Sequence, residues 1–534
     1  MSGSWRRVFV VSLMSICATL GAGLSLGADA TAPPAAKPRA HSFKITETPL
    51  GRIEGLVEKT LTVSPDSRHV AFVVQRGKKM VVVSDGVESN EYDGVSKGFP
   101  VFSADSRRVA YAAQKGQKYV VVADGAEGKE YDGIGEGTPI FSPDSKRIAY
   151  VACRAGKWLV VVDGAEGKEC DSVYAPVFSP GSTHIVYRAG RGGKQMVVMD
   201  GTEGKGYDAI DKATPIFSAD SKRSAYCAKR GEKWLAVVDG TEGKEYERVS
   251  VPICSPDSKR VAYIAEGAFV VVDGVEGQRY NRINSLMFSP DSQHIAYVTE
   301  GQLIVDAGKG KSYRAIREET VVFSPDSKRT AFKAFLGDQE LAVIDGADQK
   351  GYRSVDAPKF SPDSKRVAYG AGDYNEKRMV VDGVEGKEYE TVNNPVFSPD
   401  SNRLAYIARH GGKYVAVVDG VEGKEYDDIT TPIFSPDSKR VAYLANKGLV
   451  VVDGVEGNSY RGVIELTFSA DSKRLAYIAQ VSYENQVIVV DGVEGKGYGM
   501  FVGGSRLVFD SANKARALMV TRGEVFLVEM EITE

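Results

Sequence analysis

A short segment recurs twelve times along this chain at nearly constant intervals, and this repetition restricts the fold more than any other feature. Residues 141–149, FSPDSKRIA, are one copy, and a degenerate thirteenth copy surrounds Phe509. The intervals between successive copies are 39, 39, 37, 39, 37, 34, 35, 37, 37, 37 and 34 residues. Such a period predicts an array of about 13 similar supersecondary units. The serines that open the twelve copies are Ser64, Ser103, Ser142, Ser179, Ser218, Ser255, Ser289, Ser324, Ser361, Ser398, Ser435 and Ser469.

Each unit is predicted to contain four short strands. The 57 glycines, more than one residue in ten, indicate many tight turns. In the third unit a Ser-Pro-Asp-Ser turn separates the first two strands, and a five-residue loop at 163–167 precedes the fourth. The four predicted strands of this unit are residues 138–141, 147–152, 158–162 and 168–173.

The polarity of these strands predicts an all-β fold built from β-propeller blades. The second and third strands are almost continuously apolar, so both of their faces should be covered, whereas the fourth strand is mostly polar. This gradient fits a blade whose inner strands lie between neighbouring blades and whose outer strand faces water. A parallel β-helix is the rival fold, but its coils would be shorter and would lack two tight hairpin turns per unit.

The repeated pattern Phe-Ser-Pro-Asp-x-Lys-Arg-x-Ala-Tyr resembles the WD-repeat-like β-propellers of TolB type. The resemblance covers roughly residues 43–534 and implies a propeller fold. The chain departs from the family pattern after the aspartate, where family members commonly carry glycine and every complete copy here carries serine, as at Ser145 and Ser438. Because propellers serve as binding proteins, scaffolds and enzymes, the resemblance implies no particular function.

Thirteen blades exceed the usual four to eight of one ring, so tandem β-propellers are predicted. The proline two residues before the aromatic anchor is missing in units 1, 7, 8, 12 and 13, and the hairpin Asp-Gly becomes Asp306-Ala307 in the seventh unit. These losses favour a seven-blade ring at 43–315 and a six-blade ring at 316–534, with six plus seven as the alternative. The chain also opens with a strand-like piece, Phe43 to Ile53, which is predicted to complete the three-stranded last blade.

The N-terminus predicts export. Residues 1–30 combine Arg6 and Arg7, an apolar run and the small-residue pattern Ala28-Asp29-Ala30, as in a cleaved signal peptide; a retained membrane anchor is the alternative. Residues 31–42 are predicted to be a Pro/Ala linker. The mature protein is therefore expected in the periplasm or outside the cell. The net charge of −3 gives no basic footprint for nucleic acid, and no stable membrane insertion is expected after signal removal.

No motif for catalysis, cofactor binding or metal binding emerges from the sequence. The five histidines show no metal-ligand spacing, and the chain has no GxSxG elbow, P-loop or Rossmann glycine pattern. Carboxylates that recur in most units, such as Asp144, Asp163 and Glu166, are interpreted as structural because an active site normally breaks the repeat. The four cysteines of the mature chain are expected to be inert thiols. We therefore predict no catalytic residue, no cofactor and no metal.

The loops between the second and third strands vary most between units, and they contain the candidate ligand-binding residues. Aromatic side chains recur at the start of the third strand, each after a basic loop. They either cover the edge of the core between blades or form platforms for sugars or acidic peptides. The candidate residues are Tyr119, Arg154, Lys157, Trp158, Lys233, Trp234, His410 and Tyr414.

The leading hypothesis is a secreted, non-catalytic propeller that binds a protein, a peptide or a polysaccharide of the cell envelope through these loops. Two alternatives remain. One is a propeller enzyme, such as a lyase or glycoside hydrolase, with a site that no motif announces. The other is a passive structural array without a specific ligand.

Overall fold

The computed structural model describes residues 41–98 and 100–533. The predicted signal peptide at 1–30 lies outside the described residues, and so does the predicted linker at 31–42 apart from His41 and Ser42. The described chain belongs to one compact unit, Pro38–Glu534. It consists of strands and turns, with no helix among the described residues.

Thirteen small antiparallel sheets follow one another along the chain, one for each repeat. Each sheet has four strands, which follow sequence order in the first twelve sheets, and in six of the thirteen the first strand is split into two short pieces that pair with the second strand. This confirms the predicted all-β fold of thirteen four-stranded β-propeller blades, which are numbered here in chain order.

The first strands, which are innermost in a propeller, are short and often interrupted. They are Thr62–Val63; Gly94–Val95 and Val101–Phe102; Gly133–Ile134 and Ile140–Phe141; Ser172–Val173 and Val177–Phe178; Ala209–Ile210 and Ile216–Phe217; Ile253–Cys254; Ile283–Phe288; Ala315–Phe323; Ser354–Val355 and Lys359–Phe360; Thr391–Phe397; Ile433–Phe434; Gly462–Phe468; and Met500–Phe501 with Val508–Ser511.

The second and third strands form the apolar body of each blade. The second strands are Val70–Arg76, Val109–Lys115, Ile148–Arg154, Ile185–Arg191, Ser224–Arg230, Val261–Ala265, Ile295–Thr299, Thr330–Leu336, Val367–Asp373, Leu404–His410, Val441–Ala445, Leu475–Ser482 and Lys514–Thr521. The third strands are Lys79–Ser84, Lys118–Ala123, Lys157–Val162, Lys194–Met199, Lys233–Val238, Phe269–Val272, Gln302–Val305, Gln339–Ile344, Glu376–Val381, Lys413–Val418, Leu449–Val452, Asn485–Val490 and Glu524–Thr533.

The fourth strands are polar and exposed along most of their length, as expected of the outer edge of a blade. They are Val87–Glu88, Ala126–Tyr131, Ala165–Glu166, Thr202–Glu203, Thr241–Tyr246, Val275–Glu276, Gly308–Lys309, Ala347–Asp348, Val384–Tyr389, Val421–Tyr426, Val455–Ser459, Val493–Tyr498 and, for the last blade, Ser42–Arg52.

The hairpin before the fourth strand is tighter than the sequence suggested. Asp163 and Gly164 have φ angles of 52° and 81°, and the outer strand of the third blade begins at Ala165. Positive φ at both central residues is typical of a two-residue type I′ turn, whose twist matches that of paired strands. The predicted five-residue loop at 163–167 is therefore wrong, and so is the predicted fourth strand at 168–173.

The N-terminal strand closes the last blade, as predicted. Ser42–Arg52 pairs antiparallel with Glu524–Thr533, from Ser42 opposite Thr533 to Arg52 opposite Glu524. The two ends of the described chain are thus joined by one of its longest strand pairings, and blade 13 is complete only when both ends are present.

Apolar clusters connect every pair of neighbouring blades, including the first and the last. Val298 and Leu303 of blade 7 share a cluster with Phe332 of blade 8. Phe72 of blade 1 packs in the same way with Leu518 of blade 13. The split into rings of seven and six blades is not shown, and no break in the succession of blades is seen near residue 315 within the described chain.

The features that suggested a ring junction coincide with no break between blades. Units 7, 8 and 12 lack the inner-strand proline, and their first strands run on without interruption, as in Ala315–Phe323. Thr391–Phe397 also runs on although it contains Pro395, and blade 1 lacks the proline but has the short inner strand Thr62–Val63, so the proline alone does not set the strand length. Asp306 and Ala307 still form the hairpin, with φ angles of 48° and 65°.

Candidate functional site

The lower rim is the end of the blades formed by the Ser-x-Asp-Ser turns and the Asp-Gly turns, and it repeats with little change. In the third blade the Ser142 hydroxyl donates to the Asp144 carboxylate at 2.6 Å and accepts the Arg147 amide at 2.9 Å. The hydrogen bond from Ser142 is the main reason that the pKa of Asp144 lies below its usual value. The turn carboxylate is thus used to hold its own turn.

The last serine of each turn links neighbouring blades. Ser145 is buried in the left-handed region, at φ 65°, and its hydroxyl accepts the Asp105 amide of the preceding blade at 2.9 Å. The same link joins blade 7 to blade 8, from Asp291 to Ser327. Between blades 13 and 1 the Ser67 hydroxyl instead accepts the amide of Arg506, which lies between the two pieces of the inner strand of blade 13, at 3.1 Å. A glycine would adopt this φ without strain, but it could not accept the neighbouring amide. The serine therefore meets two requirements at this position, the left-handed φ and an acceptor for the neighbouring amide.

A second set of contacts joins the two kinds of turn within a blade. In the third blade Arg147 forms an ion pair with Asp163 at 3.0 Å, and Asp163 also accepts the Ile148 amide at 2.9 Å. His184 takes the place of the arginine in blade 4 and contacts Asp200 at 2.6 Å. The recurring carboxylates of the lower rim are therefore occupied by structural partners.

The upper rim is the opposite end, formed by the loops between second and third strands and by the links from one blade to the next. It contains all eight candidate residues from the sequence. The four aromatic candidates are half-buried at the start of their third strands: Tyr119, Trp158, Trp234 and Tyr414. Trp158 and Tyr414 pack against the apolar clusters between blades, so part of each ring covers the core.

The basic candidates are exposed, and Arg154, Lys157 and Lys233 are already paired with carboxylates. Arg154 contacts Glu166 at 3.0 Å and Glu169 at 2.9 Å, and Lys157 contacts Asp171 at 2.6 Å. Lys233 makes the equivalent pair with Glu247 at 2.5 Å. His410 ends its second strand opposite Lys413, next to Tyr414. The eight candidates are distributed over blades 2, 3, 5 and 10 and do not converge on one pocket.

Two tyrosines that were not among the candidates are far more exposed on the same rim. Tyr374 of blade 9 and Tyr483 of blade 12 are 74% and 79% exposed. The Arg353 guanidinium lies 4.9 Å from the ring centre of Tyr374, and that of Arg461 lies 3.9 Å from the ring centre of Tyr483. The irregular loops GDYNEK and VSYENQ signalled these positions in the sequence, because both depart from the repeat.

Shorter hairpins lower the upper rim at blades 6, 7 and 11. Their third strands have four residues where most blades have six, which matches the short intervals of 34, 35 and 34 residues in the sequence. An open cavity of about 520 Å³ lies at blades 6 and 7. It is lined by Arg248, Gly267, Asn281, Arg282, Ile283 and Asn284.

Within residues 41–98 and 100–533, no cluster of three or more His, Cys, Asp or Glu side chains could hold a metal ion. The four cysteines in this part of the chain, Cys153, Cys170, Cys227 and Cys254, are unpaired, and burial raises the pKa of Cys227 to about 12. The described residues also include no helix long and apolar enough to cross a membrane.

Comparison with known proteins identifies no family for this chain. No protein-family profile and no curated protein matches the sequence. Among solved structures, one described as a eukaryotic initiation factor is 13% identical, covers 60% of this chain and 97% of its own, and has a TM-score of 0.29. A structure described as the Dos1 propeller is 10% identical, covers 58% of this chain and 90% of its own, and has a TM-score of 0.26. The family with TolB-type repeats is not shown by these comparisons.

Proposed function

We propose that the protein is an exported, non-catalytic propeller that binds a protein, a peptide or a polysaccharide of the cell envelope through its upper rim. The observation that carries this proposal is the contrast between the two rims. The lower rim repeats the same satisfied contacts from blade to blade, whereas the upper rim departs from the repeat and exposes aromatic rings.

The exposed pairs of tyrosine and arginine have the chemistry that such binding requires. A flat ring of high exposure offers a large contact area, and its OH offers a hydrogen bond. Tyr374 and Tyr483 each lie within cation–π distance of an arginine, which orients the ring and adds a cation beside it. Leu336 of blade 8, 47% exposed, extends the apolar part of this surface.

The eight candidates from the sequence remain in the proposed surface with a reduced role. The exposed edges of Trp158 and Trp234 are available to a ligand, but their buried parts support the core. Arg154, Lys157 and Lys233 would have to exchange a carboxylate of their own blade for one of the ligand. We therefore expect the rim of blades 8–12 to contribute more binding energy than the rim of blades 2–5.

The experiment compares binding of the full-length protein, with and without Tyr374→Ala and Tyr483→Ala, to purified peptidoglycan, envelope polysaccharides and a peptide library. The matched control is Val384→Ala with Val421→Ala, because these valines are about as exposed but recur in the repeat. Loss of binding in the tyrosine variant alone supports the proposal. Equal binding by all three proteins, or turnover of a probe by the wild type, contradicts it.

A further inference from the structure

The cavity at blades 6 and 7 differs chemically from the rest of the upper rim. In ordinary blades a rim lysine pairs with a carboxylate of its own blade, as in Lys79 with Asp93 at 2.6 Å and Lys194 with Asp208 at 2.7 Å. The cavity instead has two arginines, Arg248 and Arg282, and neither forms an ion pair with any carboxylate among the described residues. Their positive charge is therefore not neutralised by a direct partner.

The backbone holds these two arginines on either side of one hairpin tip. Arg248 donates to the Glu266 carbonyl at 3.1 Å, and its guanidinium lies 2.7 Å from the position that a Cβ on Gly267 would occupy. The Gly267 carbonyl accepts the Ile283 amide at 2.7 Å, which places Arg282 directly beside the tip. The amide side chains of Asn281 and Asn284 line the same cavity and add hydrogen-bond donors.

Blade 11 provides an internal comparison, because its short hairpin leaves a notch in the upper rim like the one at blade 6. The two notches have the same backbone hydrogen bonds. The Glu266 amide donates to the Arg248 carbonyl at 2.9 Å, and the equivalent Asn446 amide donates to the Asp428 carbonyl at 2.9 Å. Asp428 therefore stands where blade 6 has Arg248.

Three further equivalent positions differ as well. Gly462 stands where the first notch has Arg282, and Ile464 stands where it has Asn284. Arg461, whose guanidinium lies 3.9 Å from the ring centre of Tyr483, stands where the first notch has Asn281. The short hairpin thus creates the notch in both places, but of the two only the first has arginines at both the 248 and the 282 positions. The notch alone does not require this pair.

We propose that the cavity at blades 6 and 7 binds an oxyanion group, a phosphate or a carboxylate, of a small ligand. The planar guanidinium matches both groups through paired hydrogen bonds. Glu300 borders the site, and its carboxylate accepts the backbone N–H of Asn281 at 2.7 Å, so its charge limits the affinity of the cavity for anions. The proposal does not depend on the binding role of the tyrosines on the upper rim.

The test measures binding of pyrophosphate and of citrate to the full chain by calorimetry at fixed low ionic strength. We expect wild type to bind at least one of them at a single site, and Arg248→Gln with Arg282→Gln to weaken binding by about tenfold for each arginine. The control, Lys79→Gln with Lys194→Gln, changes the net charge equally at residues that have carboxylate partners, and it should retain the wild-type affinity. Melting temperatures verify that both variants are folded.

Each outcome bears on the proposal. Binding of pyrophosphate alone identifies a phosphate ligand, binding of citrate alone identifies a carboxylate ligand, and binding of both supports the shared chemistry. A second variant, Asp428→Arg with Gly462→Arg, should create a second site in the blade 11 notch and raise the stoichiometry. No binding of either anion at millimolar concentration, or equal weakening in the lysine control, overturns the proposal.

Discussion

The lower and upper rims are built from the same thirteen repeats, yet they are constrained in different ways. On the lower rim Ser145 must adopt a left-handed φ and accept the amide of the neighbouring blade, so few other residues are suitable. On the upper rim Lys157 and Asp171 form an exposed pair that contributes little to stability. One end of each blade therefore maintains the assembly, and the other is free to diverge towards binding.

The largest effect is expected when the succession of blades is interrupted. Residues 43–315 expressed alone expose the apolar face of blade 7 that packs against Phe332, and the face of blade 1 that packs against Leu518. The N-terminal strand also loses its partner, Glu524–Thr533. We expect an aggregated or non-cooperatively melting fragment, in contrast to the full chain, in calorimetry and near-UV circular dichroism. A cooperative melt of the fragment would favour two independent rings.

A smaller effect is expected from the serines that link blades. Ser145→Ala leaves the Asp105 amide without its partner and should lower the free energy of unfolding by about 1–3 kcal/mol. Ser145→Gly loses the same hydrogen bond but relieves the left-handed backbone, so its loss should be smaller by about 1 kcal/mol. Denaturant titration measures both values. Lys118→Ala on the upper rim, the control, should stay within about 0.5 kcal/mol of wild type; an equal loss there would remove the distinction between the rims.

The aromatic residues of the upper rim should separate into two groups. Trp158→Ala with Trp234→Ala removes half-buried rings and should cost roughly 1–3 kcal/mol for each ring, below the range for fully buried ones. Tyr374→Ala with Tyr483→Ala should change the free energy of unfolding by less than about 0.5 kcal/mol for each residue, since these rings lie in solvent. The same denaturant titration checks this. Equal losses in both pairs would mean that the exposed tyrosines are structural.

The smallest effect is expected in the pH dependence of a single lower-rim turn. Hydrogen bonds from Ser398, and then from Asn402, lower the pKa of Asp400 to about 2. A lowered folded-state pKa gives stability that is present above the unfolded value of about 3.9 and is lost as the pH falls through the folded value. Asp400→Asn should therefore make the decline of stability between about pH 5 and 2 shallower. Asp338→Asn, a fully exposed carboxylate on the upper rim, is the control, and an identical change there would contradict the assignment.

Much of the fold could be predicted because each repeat carries its own signals. Continuous apolar runs such as 158–162 predict the third strands, and the three-stranded end of the chain predicts closure by an N-terminal strand. The hairpin at Asp163-Gly164 was predicted, but its length was wrong because the φ angles, and so the early start of the outer strand, are not visible in an apolar pattern. The division into rings could not be read from the proline losses, because they follow no consistent difference in inner-strand length and say nothing about which blades meet.

The candidate site was predicted only in part. The position of the variable rim follows from strand order, so Trp158 and Tyr414 were placed on it correctly, but their burial depends on the neighbouring blade. Tyr374 and Tyr483 lie in loops that the sequence marks as irregular without showing that they project into solvent. The notch at Arg248 and Arg282 follows from short repeat intervals, but the proximity of two residues 34 positions apart requires the packed blades.

The arrangement of blades can be tested most directly by single-particle electron microscopy of the full chain, viewed along the axis of the ring. We expect class averages with thirteen blades around one central opening, because blade 13 packs against blade 1 and blade 7 packs against blade 8. Averages with two smaller adjacent rings, of seven and six blades in either order, would contradict this arrangement and, with it, the continuous rims to which binding is assigned.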